Sequence, residues 1–451
     1  MRADPPLTGT KVGYNIVVVT LDQHAAGPAA RIAPRLSQDF PGLTIAIHAA
    51  AEWAENPAAL ARCKSDLQTA DIIVANLLFI EEHITAILPD LTEARARVDA
   101  FIGVIADSAI VRLTKMGDLD MSKPASATMT LLKKLKPSAK TSANSGEKQM
   151  SMLRRLPKIL RWIPGKAQDL RAWFLSMQYW LGGSDDNIEQ MMRFLLGRYA
   201  ARKDWRGAVA KAPIDYPEVG LYHPALPNRM TTDLADLPRP AGAKLTVGLL
   251  MLRSYVLASD TAHYDAVIAA FEAKGIACIP AFAGGLDGRP AIDAYFSTKD
   301  RAIDAMVSLT GFSLVGGPAY NDSPAAVAAL SALDVPYIAA HPLEFQTLGQ
   351  WASAGMGLGP IETTMLIALP EIDGATNPTV FAGRHGLEGC TGCAHMCAGG
   401  AESRAMSPCP ERIASLAEKT ARLGRLRQLG NAQKKVGIVL FGFPPNAGAA
   451  G

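Results

Sequence analysis

The chain has 451 residues, 49 per cent hydrophobic and 19 per cent charged, and its 45 Lys and Arg against 42 Asp and Glu leave a formal charge of +3. This length and apolar share predict two to four domains with real cores and exclude disorder along the whole chain. The near-neutral balance excludes a chain-wide nucleic-acid footprint. Apolar runs such as 15–21 and 245–252 are far shorter than the roughly 20 residues that span a bilayer. Residues 1–14 lack the apolar stretch of a secretory signal, so a cytoplasmic protein is expected.

In chain order, Tyr14–Thr20, 43–48, 71–77 and 101–106 are short apolar or β-branched runs, separated by helix-length stretches such as 25–40 and 50–70. Near-continuous apolar strands between helices predict a β-α-β-α parallel sheet covered on both faces. From 131 to 166 there are ten Lys and Arg against one acid, Glu147, a pattern expected of a basic linker. Its second half, 150–162 (MSMLRRLPKILRW), mixes apolar and basic residues as a surface amphipathic segment does, with Pro157 ending or kinking any helix. A solvated basic loop and a contact with anionic membrane are the two readings of it.

Residues 167–201 read as helical, broken at Gly182-Gly183-Ser184. Trp173, Phe174, Met177, Tyr179 and Trp180 are expected to be core, with a stacking surface as the sharper alternative. A Pro-rich stretch, 213–240, leads into a second alternating unit. Its strands are expected at 244–252, 277–282, 304–310 and 335–340, and its helices at 263–274 and 324–333. A helix at 410–429 and a strand at 436–441 end the pattern. A parallel strand without its crossover helix predicts a truncated α/β element.

The expected architecture is therefore α/β: two doubly wound, flavodoxin- or Rossmann-like parallel-sheet units with a helical connection and a truncated C-terminal α/β element. The divisions are 1–130, a basic linker 131–166, a helical connection 167–240, a second α/β domain 241–400 with a Cys-rich end, and 401–451. Such sheets bind ligands at the carboxyl ends of their strands, so the loops 283–289, 311–322 and 341–347 are the first places to look. Asp287, Arg289, His341, Glu344, Arg384 and His385 are the candidate substrate-binding residues there. Arg253, Arg384 and His385 offer groups that could pair with carboxylates of an anionic ligand.

No G-x-x-x-x-G-K-[ST] loop, G-x-S-x-G elbow or H-E-x-x-H motif is present, so nucleotide hydrolysis and two hydrolase classes lose their strongest signals. Four of six cysteines fall together as Cys390-x2-Cys393-x3-Cys397-x11-Cys409 in glycine-rich sequence. Four thiolates at this spacing could hold an iron-sulfur cluster or zinc, with His395 as a competing ligand, or they could be unligated thiols. Cys63 and Cys278 read as ordinary buried thiols.

The second unit resembles a known family through VGLLMLRSYVLASDTAHYDAVIAAFEAKG from Val247, IPAFAGGLDGRPAIDAYF from Ile279, VSLTGFSLVGGPAYND from Val307, VPYIAAHPLEFQTLGQW from Val335 and ALPEIDGATNPTVFAGRHG from Ala368. LGGSDDNIEQMMRFLLGRY from Leu181 adds to the resemblance. The family is the large subunits of magnesium chelatase and its cobaltochelatase relatives. Residues 1–130 resemble the amino-terminal domain typical of the magnesium enzymes, and the HPLEFQT and cysteine-rich segments resemble the bacteriochlorophyll branch.

The resemblance implies a porphyrin-binding subunit that inserts Mg2+ into protoporphyrin IX, with ATP hydrolysed by two AAA+-type partner subunits. It also implies an amino-terminal fragment of a longer chain, inactive alone. The competing readings are a cobaltochelatase large subunit and a non-enzymatic iron-sulfur or tetrapyrrole-binding sensor.

Overall fold

The computed structural model describes residues 13–21, 26–53, 56–123, 156–157, 160–298, 301–317, 320–386, 388–399 and 405–439. Most of the basic stretch 131–166 lies outside these residues. Strands β1 (Tyr14–Thr20), β2 (Leu43–Ala49), β3 (Ile72–Asn76) and β4 (Ala100–Val104) form a parallel core, to which the hairpin β5 (Lys115–Met116) and β6 (Leu119–Asp120) adds antiparallel strands. The order is β2-β1-β3-β4-β5-β6. Every residue of β3 and β4 is buried, which is why these strands read as continuous apolar runs.

The expected helix over 50–70 begins later, at Pro57–Thr69, after a 3-10 turn at Ala50–Glu52. Asn56 sets that start, because its side chain accepts from the Ala59 N–H at 3.2 Å and Pro57 occupies the first helical position.

The helical connection forms two helices, Lys166–Gly182 and Asp185–Tyr199. Gly183 in the left-handed region ends the first, and the Ser184 hydroxyl caps the second through the Asn187 N–H. Trp173, Phe174, Met177, Tyr179 and Trp180 are buried, as the core reading expects. They join one apolar cluster with helix Ala26–Asp39 and one face of the first sheet, and Trp173 Nε1 donates to the Gly103 carbonyl at 2.9 Å. These helices thus form another layer on the first unit.

The second sheet comprises β7 (Val219–Tyr222), β8 (Met230–Thr231), β9 (Leu245–Leu252), β10 (Ile276–Ala283), β13 (Ala305–Ser308), β16 (Tyr337–Pro342), β17 (Thr376–Gly383) and β18 (Ser407–Pro408). Two-residue hairpins β11–β12 (Ser297–Thr298, Arg301–Ala302) and β14–β15 (Gly316–Gly317, Tyr320–Asn321) lie outside it. Its order is β18-β17-β16-β13-β9-β10-β7-β8. The parallel core β10-β9-β13-β16-β17 follows the flavodoxin-type 2-1-3-4-5 order, with antiparallel strands finishing both edges.

Three features differ from the sequence reading. The Pro-rich stretch contributes β7 and β8, and β17 was not anticipated. The strand expected over 436–441 is not formed in its described part: residues 434–439 pair with no strand among the described residues, and Val436 and Val439 are 83 and 94 per cent exposed. Strand geometry needs a hydrogen-bonded neighbour, and these residues have none among the described residues.

Candidate functional site

A polar cluster forms where β9, β16 and β17 end. Arg384 follows β17 directly, and its Nη1 donates to Glu344 Oε2 at 3.2 Å and to the Glu344 carbonyl at 3.4 Å. Glu344 also accepts from the hydroxyl of Tyr255, which stands on the short helix Arg253–Leu257 after β9. The pairing of β16 with β17 shifts register at Ile338/Ala340 and again at His341/Pro342, so the irregularity lies beside the cluster.

Two residues of this cluster were not picked out from sequence. Asp260 accepts from the Met406 N–H at 3.0 and 3.2 Å. Burial pushes its carboxyl up to about 6. The Met406 N–H and the Arg384 and Arg31 charges oppose that shift, and Glu344 reinforces it. His263 is fully buried, with neither ring nitrogen hydrogen-bonded. Its ring lies 3.9 Å from Tyr264, 5.2 Å from Tyr255 and 5.9 Å from Phe381, centroid to centroid. Burial, helped by the Arg384 charge, lowers its pKa to about 3, so the imidazole is neutral at ordinary pH. Asp260 and His263 lie on either side of the start of helix Ala262–Glu272, and a lone Asp and His in a helical pattern carry no signal that a sheet end will surround them.

The six expected substrate-binding residues divide into separate places. Glu344 and Arg384 meet, as described. Asp287 and Arg289 pair with each other at 2.6 Å beyond the end of β10. There Asp287 lines a small crevice with Leu252, Thr310 and Phe312 at the switch point between β9 and β13. His341 is buried within β16 without a hydrogen bond, and burial lowers its pKa to about 4. His385 has its pKa lowered by burial, and its Nδ1 is unbonded. Arg253, suggested for an anionic ligand, instead donates to the carbonyls of Pro217, Tyr216 and Leu181 at 2.8, 3.0 and 3.4 Å, joining the helical layer to the second sheet.

The cysteine-rich loop is built against the same end of the sheet. Cys390 and Cys397 lie opposite each other, with N–H to carbonyl distances of 2.9 and 2.8 Å in the two directions. Together with Cys409 they pack on Leu343, Leu348, Val380 and Trp351. Burial raises the Cys409 thiol, and nearby Cys393, Cys390 and Cys397 add to the shift. The Cys397 thiol is raised by burial and then by Cys390 and Cys393. The thiols thus lie within electrostatic reach of one another, yet among the described residues no group of three or more His, Cys, Asp or Glu is arranged to hold a metal. No helix among these residues is long and apolar enough to cross a membrane.

Together these features describe a doubly wound α/β protein that gathers a buried carboxylate, a guanidinium and an imidazole at the carboxyl ends of its second sheet. A family profile described as CobN/Magnesium Chelatase matches residues 177–451, and one described as a domain of unknown function (DUF3479) matches residues 15–174. The chain belongs to the CobN/Magnesium Chelatase family.

It is 74 per cent identical over 443 residues to the H-type magnesium-chelatase subunit of Cereibacter sphaeroides and 67 per cent identical over 441 residues to that of Rhodobacter capsulatus. Both alignments cover 97 per cent of this chain. The chain spans 37 per cent of the length of these curated relatives. Among solved structures, the catalytic subunit of cobaltochelatase from Mycobacterium tuberculosis matches with a TM-score of 0.48 and 18 per cent identity, over 93 per cent of this chain and 28 per cent of that one.

Proposed function

We propose that this chain acts in the porphyrin-binding large subunit of a magnesium chelatase, which inserts Mg2+ into protoporphyrin IX for (bacterio)chlorophyll formation. The observation that carries this reading is the 74 per cent identity, along 97 per cent of the chain, to a relative named as a magnesium-chelatase subunit. ATP would be hydrolysed by AAA+-type partners, in keeping with the missing phosphate-binding loop in this sequence.

Insertion requires a small, hard cation to shed water and two pyrrole N–H protons to leave, so carboxylates beside an apolar surface are the useful groups. In this reading Arg384 pairs with a propionate of the macrocycle, and Glu344 and Asp260 are oxygen donors able to take a proton or an incoming cation. With its pKa near 6, Asp260 is ionised at neutral pH yet basic enough to accept a proton. Asp287 and Arg289, in the switch-point crevice, and His385 are the other proposed contacts. His341, enclosed in its strand, is the least able of the six to touch a macrocycle.

Cys390, Cys393, Cys397 and Cys409 are proposed as a four-sulfur site for iron-sulfur or zinc, supported by the proximity of their thiols. Such a site requires the loop to draw the sulfurs together.

The test combines a protoporphyrin titration followed by tryptophan emission with a metal-insertion assay in the presence of ATP and the partner subunits. Arg384→Gln is expected to weaken porphyrin binding roughly tenfold through loss of a charge-assisted pair, with Arg384→Lys intermediate. Unchanged binding in both variants would remove Arg384 from the site. Insertion of cobalt in preference to magnesium would favour the cobaltochelatase reading.

A further inference from the structure

Between the helical layer and the second sheet lies a cavity of about 220 Å3, well above the roughly 10–15 Å3 that one water needs. Three segments build most of it: the start of helix Asp185–Tyr199, the turn joining β7 to β8, and the turn after helix Arg253–Leu257. Met230, Val256 and Leu257 give it an apolar wall, and polar side chains make up the rest. It takes in none of the residues proposed above for the porphyrin or for the cysteine site.

Two of its side chains stand on strained backbone. Ser259 has φ +54° and Arg229 has φ +56°, in the left-handed region where glycine is at ease and a residue with a Cβ is not. After helix Arg253–Leu257 the Ser259 N–H donates to the Val256 carbonyl at 3.2 Å and the Asp260 N–H to the Tyr255 carbonyl at 3.0 Å, a helix ending at which glycine is common. Arg229 closes the turn between β7 and β8. Its N–H donates to the Leu226 carbonyl at 3.0 Å, and its carbonyl accepts from the His223 N–H at 3.1 Å. Glycine would make both turns without strain, yet each carries a polar side chain that lines the same cavity. Backbone strain gathered in this way marks sites that handle a ligand.

The charges on the wall define the ligand. Asp185 accepts from Arg31 at 2.7 Å, and Arg229 donates from Nη2 to Asp265 at 2.5 Å. Among the described residues, the Asp186 carboxylate, Arg229 Nη1, the Asn228 amide and the Tyr216 and Ser259 hydroxyls have no partner. An anion would face the unneutralised Asp186, and an ammonium group would face the Arg229 guanidinium. A metal ion finds no group of three or more His, Cys, Asp or Glu among the described residues. A neutral molecule bearing several hydroxyls suits the whole set, because each hydroxyl donates one hydrogen bond and accepts two. It can donate to Asp186 and accept from Arg229 and Asn228, while its carbon skeleton lies on Met230, Val256 and Leu257.

We propose that this cavity binds a small, neutral, hydroxyl-rich molecule of the sugar or polyol class, held by Asp186, Asn228, Arg229 and Ser259. The proposal stands apart from the chelatase reading, because its measurement involves neither porphyrin nor metal insertion.

The experiment is a ligand-observed saturation-transfer NMR titration of the 451-residue chain. The neutral probes are myo-inositol, glucose and sucrose, and putrescine and succinate are the cationic and anionic probes. At least one neutral probe is expected to bind with a Kd of about 1 mM or tighter, and the two charged probes more weakly. Asp186→Ala is expected to weaken that binding roughly tenfold with unchanged far-ultraviolet circular dichroism. Ser259→Gly is expected to weaken it by a similar factor while the thermal midpoint holds or rises, since glycine relieves the left-handed strain. Binding lost from a chain that is no less stable cannot come from unfolding. Failure of all three neutral probes to bind, tighter binding of putrescine or succinate, or undiminished binding by either variant would each overturn the proposal.

Discussion

Burial holds Asp260 at about 6 against 3.8 for the free side chain. A carboxyl with a raised folded value keeps its proton more tightly in the native chain than in the unfolded one. Its contribution to stability is therefore complete below about pH 4 and is lost as the pH rises through 6. Asparagine at this position retains an oxygen for the Met406 N–H and cannot ionise. Between pH 4 and 7 the stability of the wild type relative to Asp260→Asn is expected to fall by on the order of 2 kcal/mol, read from urea midpoints at several pH values. A difference independent of pH would mean that Asp260 ionises as a free aspartate does. His263, a few residues further along, behaves oppositely: burial keeps it neutral in the folded chain down to about 3, while the unfolded imidazole titrates near 6.5. It therefore costs stability progressively as the pH falls below about 6.5, a contribution shared by the wild type and Asp260→Asn that cancels in their difference. The two residues show how one wall of the cluster can supply a group that titrates near neutrality and another that does not.

Among the elements, the cysteine loop rests on one glycine. Gly389 has φ +72°, and a Cβ there would come within 2.2 Å of the Cys397 carbonyl oxygen and 2.6 Å of the Gly399 nitrogen, both backbone atoms with little freedom to yield. The same carbonyl accepts from the Cys390 N–H at 2.9 Å, so a side chain at position 389 attacks the pairing that sets Cys390 opposite Cys397. Gly389→Ala is expected to lower bound iron or zinc by at least half, as is serine at any of Cys390, Cys393, Cys397 or Cys409, when metal is measured by elemental analysis of anaerobically prepared protein. Full metal content in two of the four serine variants would end the four-sulfur proposal. The glycine-rich composition of this loop is visible in the sequence, but which glycine is indispensable is decided by how closely the two strands of the loop approach.

Over the whole molecule, the two units are tied by charged groups as well as by the helical layer. Arg31, on a helix of the first unit, donates to both carboxylate oxygens of Asp185 at 2.7 Å and to the Ala258 carbonyl, beside the polar cluster, at 2.6 Å. Within the first unit, Arg193 of the helical layer also bridges Asp39 at 2.6 Å and Glu189 at 2.9 Å, so the layer carrying Asp185 is itself held to the helix that carries Arg31. A bidentate guanidinium that also holds a carbonyl contributes more than an ordinary surface pair, although its partial exposure limits the gain. Arg31→Ala is expected to cost about 1 kcal/mol and to separate thermal unfolding into two transitions, as calorimetry would detect. A single transition at an unchanged temperature would show that the apolar layer alone couples the units.

The alternation of strands and helices in both units was legible from the residues alone, because buried parallel strands must be apolar along their whole length and their helices must carry a periodic apolar face. So were the family resemblance, the clustering of four cysteines, and the candidates Glu344 and Arg384, whose types and loop positions are readable without coordinates. Whatever depends on neighbours distant in the chain came from the packed fold instead. Short strands such as β7, β8 and β18 form because the sheet offers hydrogen bonds at its margins, and residues 434–439, apolar in part, find no strand partner among the described residues. Asp260 and His263 became part of the site only when helix Ala262–Glu272 was packed beside the ends of β16 and β17, since a carboxyl or an imidazole acquires an unusual proton affinity from burial and nearby charge, and neither is written in local sequence.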